Sequence, residues 1–324
     1  MGIHHVTGIA GDAQQNVDFY AGVLGLRLVK KTINYDDPRT YHLYYGDTEG
    51  TPGSLLTFFP WPGARRGRAG VGQIAVTSLA IAPESIGYWL HRFVTNGVNH
   101  DALTRPFGNA TIAFRDRDGL MLELVATEDA TVRGAWADGP VPSEHAIHGV
   151  HAVTLWEESL ERTEQALVEG LGFRRADSED QTTRFSVGDG GSGAFVDVRV
   201  VGGFLSPLGG AGTIHHVAFR ARDTAEQLQL REKVTSLGLH PTPVIDRTYF
   251  QSVYVREPGN VLFEVATDGP GFTVDEPLKS LGESLTLPSR LAADRASIEM
   301  VLPALHRPQA TPLHETPDAP KANV

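Results

Sequence analysis

The chain has 324 residues, with 39 acidic against 28 basic side chains, a formal net charge of −11 and no cysteine. That length can bury two ordinary cores, and scattered basic residues on an acidic chain exclude an electrostatic grip on nucleic acid or an anionic membrane. The lack of cysteine excludes disulfides, thiolate–metal sites and cysteine nucleophiles, and with no basic-then-apolar leader and no apolar run near ~18 residues the expected compartment is a reducing cytoplasm.

In chain order, Ile3-His4-His5-Val6-Thr7 forms the first strand. An amphipathic helix over 16–24 follows and stops at Gly25, a common helix terminator. Alternating strands are expected over 41–45 and 54–59, then a strand over 77–81, a helix over 83–96 and a strand over 122–127. Residues 134–146, rich in Gly and Pro, suit a linker. Beyond them come a strand over 150–154, a helix over 160–171 that stops at Gly172, and strands over 183–187 and 194–200. The final run has a strand over 214–219 containing Ile214-His215-His216-Val217, a helix over 224–237, and the strand Leu262-Phe263-Glu264-Val265-Ala266-Thr267. Residues 270–288 lack periodicity, 290–301 suit one helix, and from 303 a Pro-rich tail has little to bury.

These elements repeat. Ile3-His4-His5-Val6-Thr7 matches Val150-His151-Ala152-Val153-Thr154, and Gly25-Leu26-Arg27 matches Gly172-Phe173-Arg174 at the same spacing. Thr77-Ser78-Leu79-Ala80-Ile81 sits where residues 214–219 sit, and both of those units close on a strand bearing Glu123 or Glu264. The expectation is four βαβββ units of about 55 to 60 residues, in two halves. On this alignment His5 matches Ala152, His216 matches Ser78, Tyr254 matches Ala113 and Glu264 matches Glu123. One site therefore keeps two histidines and a carboxylate, its twin only Glu123, for which a hydrogen-bonding role is expected.

A glutamate inside an apolar strand needs a cation or donors. Two imidazoles and one carboxylate leave one face of a metal open, and with N and O ligands alone that face suits non-haem Fe(II) and O₂. Side chains alternate along a strand, so one histidine of each pair can face a cavity while its neighbour packs behind. Ligands from units one and four must share one concave sheet, which leaves units two and three to form a second, metal-free sheet. His145, His148 and His151, at every third position, cannot share a face. The glycine-rich 188–193 segment lacks the Lys and Ser/Thr of a phosphate loop and reads as a hairpin. Arg65, Arg66 and Arg68 read as solvated.

The four-unit layout, the two His-His strands, and the stretch from Asp246-Arg247-Thr248-Tyr249-Phe250 to Glu264 resemble the vicinal oxygen chelate (glyoxalase/bleomycin resistance/dioxygenase) superfamily. Within it they are most similar to ring-cleaving dioxygenases that open hydroquinones, relatives of the extradiol catechol dioxygenases. The resemblance implies an α+β fold with two cupped mixed sheets, and makes the second histidine of each pair the ligand: His5, His216 and Glu264. It implies an enzyme that opens the ring of a small aromatic diol with O₂ at Fe(II), with Mn(II) as the alternative metal. Catechol cleavers of the superfamily take all their ligands from units three and four. The split between units one and four agrees with the hydroquinone type.

Around the triad, Arg247 could hold a phenolate or carbonyl oxygen and Tyr254 could donate a proton. His215 and His4 could support the ligands or relay protons, and Thr7, two residues from His5, should face the same cavity. Phe59, Trp61, Tyr249 and Phe250 are candidates for the cavity wall. The expected organisation is two vicinal-oxygen-chelate halves, 1–133 and 147–269, joined by the linker 134–146 and followed by an extension over 270–324. A homo-oligomer is left open. A Zn²⁺ or Ni²⁺ isomerase of the glyoxalase type, or a metal-free small-molecule-binding protein, are the other readings; both lack support from a second carboxylate or from a broken triad.

Overall fold

The computed structural model describes residues 1–130, 134–203 and 205–308. Unit one holds β1 (Ile3–Ala10), α1 (Ala13–Val17), β2 (Arg27–Asn34), β3 (Asp37–Gly46) and β4 (Leu55–Pro60). Unit two holds β5 (Gln73–Ile81), α2 (Ile86–Thr95), β6 (Thr111–Arg115) and β7 (Met121–Ala126). Unit three holds β8 (Val150–Glu157), α3 (Glu161–Gln165), β9 (Arg174–Glu179), β10 (Thr182–Ser186) and β11 (Phe195–Val200). Unit four holds β12 (Thr213–Ala221), α4 (Thr224–Ser236), β13 (Ile245–Asp246), β14 (Gln251–Arg256) and β15 (Leu262–Thr267), and α5 (Arg295–Val301) follows.

The helices start and stop for local reasons. The Asp12 carboxylate accepts from the Gln15 amide at 2.8 Å and starts α1 three residues earlier than the apolar pattern suggested. Both α1 and α3 run on into a π-helical turn, 18–23 and 166–170, and the chain then turns at Gly25 (φ 72°) and Gly172 (φ 76°). The repeat thus extends to an unusual helix ending. Unit two departs from it. Where unit four has β13, residues 100–104 make only isolated bridges, His100 to Phe114 and Thr104 to Thr111. Pro106, which has no N–H to give, and Phe107 at φ 50° end any pairing there.

Two mixed sheets result. The first has the order β13-β14-β15-β12-β1-β4-β3-β2, so it joins units one and four; the second has the order β6-β7-β5-β8-β11-β10-β9, so it joins units two and three. At the centre of the first, β1 runs antiparallel to β12 and parallel to β4, and β12 runs parallel to β15. This is the pairing that the ligand positions demanded.

The β1–β12 register carries two bulges. Ile3 and His5 oppose the consecutive residues Phe219 and Ala218, so His4 is the extra residue of β1; Thr7 and Gly8 oppose His216 and Ile214, so His215 is the extra residue of β12. Each supporting histidine is therefore a bulge residue, set off the regular alternation. The same pairing corrects the alignment of the second repeat. Ala152 opposes Ser78 as His5 opposes Ala218, and Thr154 opposes Val76 as Thr7 opposes His216. The counterpart of His216 is Val76, not Ser78; both strands carry the same bulge and align without a gap once Ile74 is matched to Ile214. Tyr254 and Ala113 do correspond, since each opposes its unit's glutamate.

Residues 270–288, aperiodic in sequence, form a strap over the edge of the first sheet. Thr286 N–H donates to the Lys31 carbonyl at 2.9 Å, and the Thr32 hydroxyl donates to the Thr286 carbonyl at 2.7 Å. Fully buried Lys30 meets Asp275 and Glu276, and Phe272 and Leu281 join a core of Val29, Tyr44 and Tyr249. The strap covers the outer edge of β2, which would otherwise be open to pairing with another chain. The expected helix over 290–301 is regular only in its second half, α5; 289–294 is 3₁₀. Most of the Pro-rich tail lies outside the described residues. Among the described residues no helix is long and apolar enough to cross a membrane.

Candidate metal centre

Three strands of the first sheet bring His5, His216 and Glu264 together, with exposures of 1%, 3% and 0%. The two Nε2 atoms are 3.2 Å apart, and the Glu264 Oε2 lies 3.3 Å from His5 Nε2 and 2.9 Å from His216 Nε2. Ligands on one face of an octahedral ion with bonds of about 2.1 Å lie about 3 Å apart. Glu264 Oε2 is buried without a hydrogen-bond partner, while Oε1 accepts from the Ser252 hydroxyl at 2.5 Å. One oxygen is held by the protein and the other is left facing two imidazoles, which fits a metal. Among the described residues this is the one grouping of three His, Asp or Glu side chains with converging ligand atoms.

The bulge histidines complete the arrangement. His4 Nδ1 is 2.9 Å from His5 Nδ1, and His215 Nδ1 is 2.8 Å from His216 Nδ1. A metal at Nε2 requires each ligand ring to carry its proton on Nδ1 and donate it, so His4 and His215 act as acceptors that fix tautomer and ring angle. Burial, opposed by the neighbouring Glu264 carboxylate, holds His216 below the ordinary imidazole range. Burial raises the Glu264 carboxyl, but the two imidazoles beside it, His5 first, outweigh that and hold it well below the usual range. Neutral imidazole and ionised carboxylate are the metal-binding forms.

His5 and His216 stand in the wall of a cavity of about 270 Å³, also lined by His42, Tyr44, Arg247, Tyr254, Phe250, Phe59 and Trp61. Arg247 Nε donates to the Tyr254 hydroxyl at 3.3 Å, and its guanidinium stands 5.4 Å from the Tyr254 ring. Burial, then the Glu264 charge, raises the Tyr254 hydroxyl above its ordinary value, so it remains a proton donor. Thr7 stands back from the cavity wall: its hydroxyl shares a 2.8 Å bond with Thr57 on neighbouring β4, which in turn bonds His42 Nε2 at 2.9 Å. Tyr249 also turns away from the cavity; its hydroxyl donates to Asp275 at 3.0 Å.

The model of the Glyoxalase/Bleomycin resistance protein/Dioxygenase superfamily matches residues 2–124 and 149–265. The chain belongs to that superfamily. It is 44% identical over 307 residues to the "Putative ring-cleaving dioxygenase MhqO" of Bacillus subtilis, covering 93% of this chain and 96% of that protein, so the likeness takes in both sheets and the strap. It is 33% identical over 304 residues to the chlorohydroquinone/hydroquinone 1,2-dioxygenase of Sphingobium indicum, covering 90% and 92% of the two chains. A crystal structure of a "putative dioxygenase" from Bacillus subtilis superposes with a TM-score of 0.91 at 41% identity, over 97% of this chain and 99% of that one. The resemblance to ring-cleaving dioxygenases is borne out.

Within this superfamily fold the second sheet shows what remains when the ligands go. Val76 and Ala152 occupy the histidine positions, and the Ser78 hydroxyl donates to Glu123 Oε2 at 2.7 Å. Burial raises the Glu123 carboxyl, and the Ser78 bond only partly offsets it. A wider cavity of about 670 Å³ lies there, with Arg184 and Asp197 in a two-bond ion pair on its wall. His145, His148 and His151 do not converge. His145 stacks on Tyr88, and His151 Nδ1 meets Ser192.

Four residues near the triad escaped the sequence: Tyr35, His42, Tyr44 and Ser252. His42 and Tyr44 alternate on β3, and Ser252 and Tyr254 on β14, so the period-two pattern placed each pair on one face. Nothing in the pattern said that this face of β3, three strands from β12, would curl round to the metal.

Proposed function

We propose that the protein is a non-haem Fe(II) dioxygenase that opens the ring of a hydroquinone-type diol with O₂. The observation that carries the proposal is the partnerless Glu264 Oε2 set between two imidazole Nε2 atoms. The 33% identity to a hydroquinone dioxygenase across 92% of its length supports the substrate class. His5, His216 and Glu264 would hold the ion, with Mn(II) as the alternative. Bound there, iron supplies the one-electron chemistry that lets a closed-shell ring react with O₂. The chain's own groups do the rest. Arg247 stabilises negative charge on a ring oxygen, Tyr254 gives a proton or hydrogen bond, and the ring of Phe250, 5.2 Å from that of His5, keeps water from the ligands. His4 and His215 hold the ligand rings, and Thr7 acts through Thr57 and His42. We also propose residues 1–133 and 147–269 as the two repeated halves, with 134–146 linking them, and a reducing cytoplasm as the place where ferrous iron persists.

Anaerobic reconstitution with Fe(II), followed by metal analysis and oxygen uptake on hydroquinones and catechols, tests this. One iron per chain and uptake with a para-diol are expected, with iron lost in His216→Ala. Two metals per chain, or full retention by the variant, excludes the triad. Absence of uptake with every diol, together with isomerisation of a glutathione adduct, replaces the dioxygenase with the isomerase.

A further inference from the structure

The first sheet curls until its two ends meet. Its outermost strands are β13 at one end of the order and β2 at the other. Arg247 directly follows β13, and Asp36 sits in the two-residue turn between β2 and β3. Their side chains nevertheless pair, with Arg247 Nη2 at 3.1 Å from Asp36 Oδ2. Both backbones are pinned locally. The Asp36 amide donates to Asn34 Oδ1 at 3.0 Å, and the Arg247 amide donates to the Phe250 carbonyl at 3.0 Å.

Both residues line the cavity that holds His5 and His216. Among the described residues that line it, Arg247 is the one Lys or Arg and Asp36 the one Asp or Glu. The sole permanent cation of the wall is thus neutralised by the sole carboxylate of the wall. The Arg247 side chain is 19% exposed and that of Asp36 74%, so the guanidinium lies inward of its counter-charge. The rest of the lining is aromatic rings, imidazoles, Asn34 and Leu262. Of the imidazoles, His42 has both nitrogens bonded, to Thr57 and to Tyr44, and His5 and His216 are committed to the metal on the proposed ligand set. The N–H groups left on a paired guanidinium can still bond a hydroxyl or a ring oxygen. They cannot act as counter-ion to a carboxylate carried on the ring. That charge would have to leave water and then displace Asp36, and an unpaired charge costs far more to bury than a neutral group of the same shape.

We propose that Asp36 is the specificity-determining residue that restricts the site to uncharged diols: by pairing with Arg247 it denies an acidic substituent the one cationic side chain that could receive it. The proposal rests on the dioxygenase reading above. Selection here works by an unpaired charge set against the wrong ligand rather than by a contact made to the right one. The same pairing leaves the guanidinium donors in place for the ring oxygen of a neutral diol.

The experiment measures dissociation constants of hydroquinone, (2,5-dihydroxyphenyl)acetate and the corresponding acetamide by anaerobic calorimetry. The protein is the Fe(II)-loaded full chain, as wild type, Asp36→Asn and Asp36→Glu. Acid and amide share one shape and differ in charge, so the ratio of their constants reads the charge alone. The wild type should bind the amide at least about tenfold more tightly than the acid, and Asp36→Asn should bring the two within about twofold by tightening the acid. Asp36→Glu keeps the charge and should keep the wild-type preference. Hydroquinone should bind all three proteins within about twofold, and Asp36→Asn should melt with the wild type, because an exposed ion pair adds little stability. Five results overturn the assignment of Asp36 and leave the dioxygenase standing. They are a ratio unchanged in Asp36→Asn, a ratio lost equally in Asp36→Glu, equal weakening of all three ligands in Asp36→Asn, a wild type that binds the acid as tightly as the amide, and a wild type that binds hydroquinone but neither substituted ring. A wild type that binds none of the three overturns the dioxygenase reading and this inference with it.

Discussion

At the scale of single residues, the proposed function divides the centre into atoms that would hold the metal and atoms that would act on the substrate. Arg247 and Tyr254 bond each other and line the cavity, yet neither approaches the triad as a ligand. Arg247→Ala and Tyr254→Phe should therefore slow turnover by roughly 10²-fold or more while iron content stays at the wild-type level. Oxygen-uptake rates and metal analysis on the same preparations check this; loss of iron in both variants, or wild-type rates in both, contradicts the roles. The strained backbone beside Arg247 fits its position. Thr248 is a β-branched residue at φ 71°, held by its amide bond to Asp246 Oδ1 at 2.7 Å, in the turn that aims the guanidinium at the cavity.

At the scale of elements, the feature that matters most is the pair of bulges in β1 and β12. A regular strand would send His4 and His215 to the face opposite their neighbours. The extra residue in each strand brings the two Nδ1 atoms of each pair into contact. Replacing His4 or His215 by Ala should weaken metal affinity by roughly 10–100-fold without removing a ligand. Competition with a chelator of known affinity measures it, and affinities equal to wild type would show that the bulge histidines merely pack. Strand and helix periodicities gave ranges for ten of the fifteen strands and left β2, β6, β9, β13 and β14 without one, and the His-His-Glu set placed the centre and the pairing of units. The counterpart of His216 was misplaced by two residues because a slip of two, the strand period, keeps every side chain of an apolar strand on its own face and so leaves the pattern intact. Tyr35 and His42 went unseen for another reason: they reach the cavity only through the curl of an eight-stranded sheet, which no local pattern encodes.

At the scale of the whole molecule, the two sheets meet at a buried carboxyl pair. Glu157, at the end of β8, is 2% exposed, and its Oε1 has no hydrogen-bond partner. A Cβ at Gly259, in the turn before β15, would stand 2.0 Å from its Oε2, so any larger residue there must displace the Glu157 carboxyl. Burial, then the like charge of Glu257, pushes the Glu157 carboxyl up to about 8. The unfolded value is about 4.3, so between these two pH values the folded chain keeps a proton that the unfolded chain has lost. Stability from this group is full below about 4.3 and falls as pH rises toward 8. The melting temperature should drop between pH 5 and 9, and Glu157→Gln should flatten that slope and melt higher than wild type at pH 9. Parallel slopes in the two proteins would show that another group controls the alkaline limit.

The pairing of β1 with β12 also has a consequence in time. Translation delivers the second sheet, residues 73–200, as one uninterrupted stretch, and all its strands exist before any of unit four. Strand β1 leaves the ribosome first but finds its neighbour β12 only once residues 213–221 emerge. The metal-free half is thus the part that can close early, and non-local pairing of this kind is slow and leaves strand edges open meanwhile. Glu264, the third ligand, arrives later still. On the proposed ligand set no ion meets all three side chains until β15 has emerged, and a product truncated before unit four lacks the strand that covers the second edge of β1.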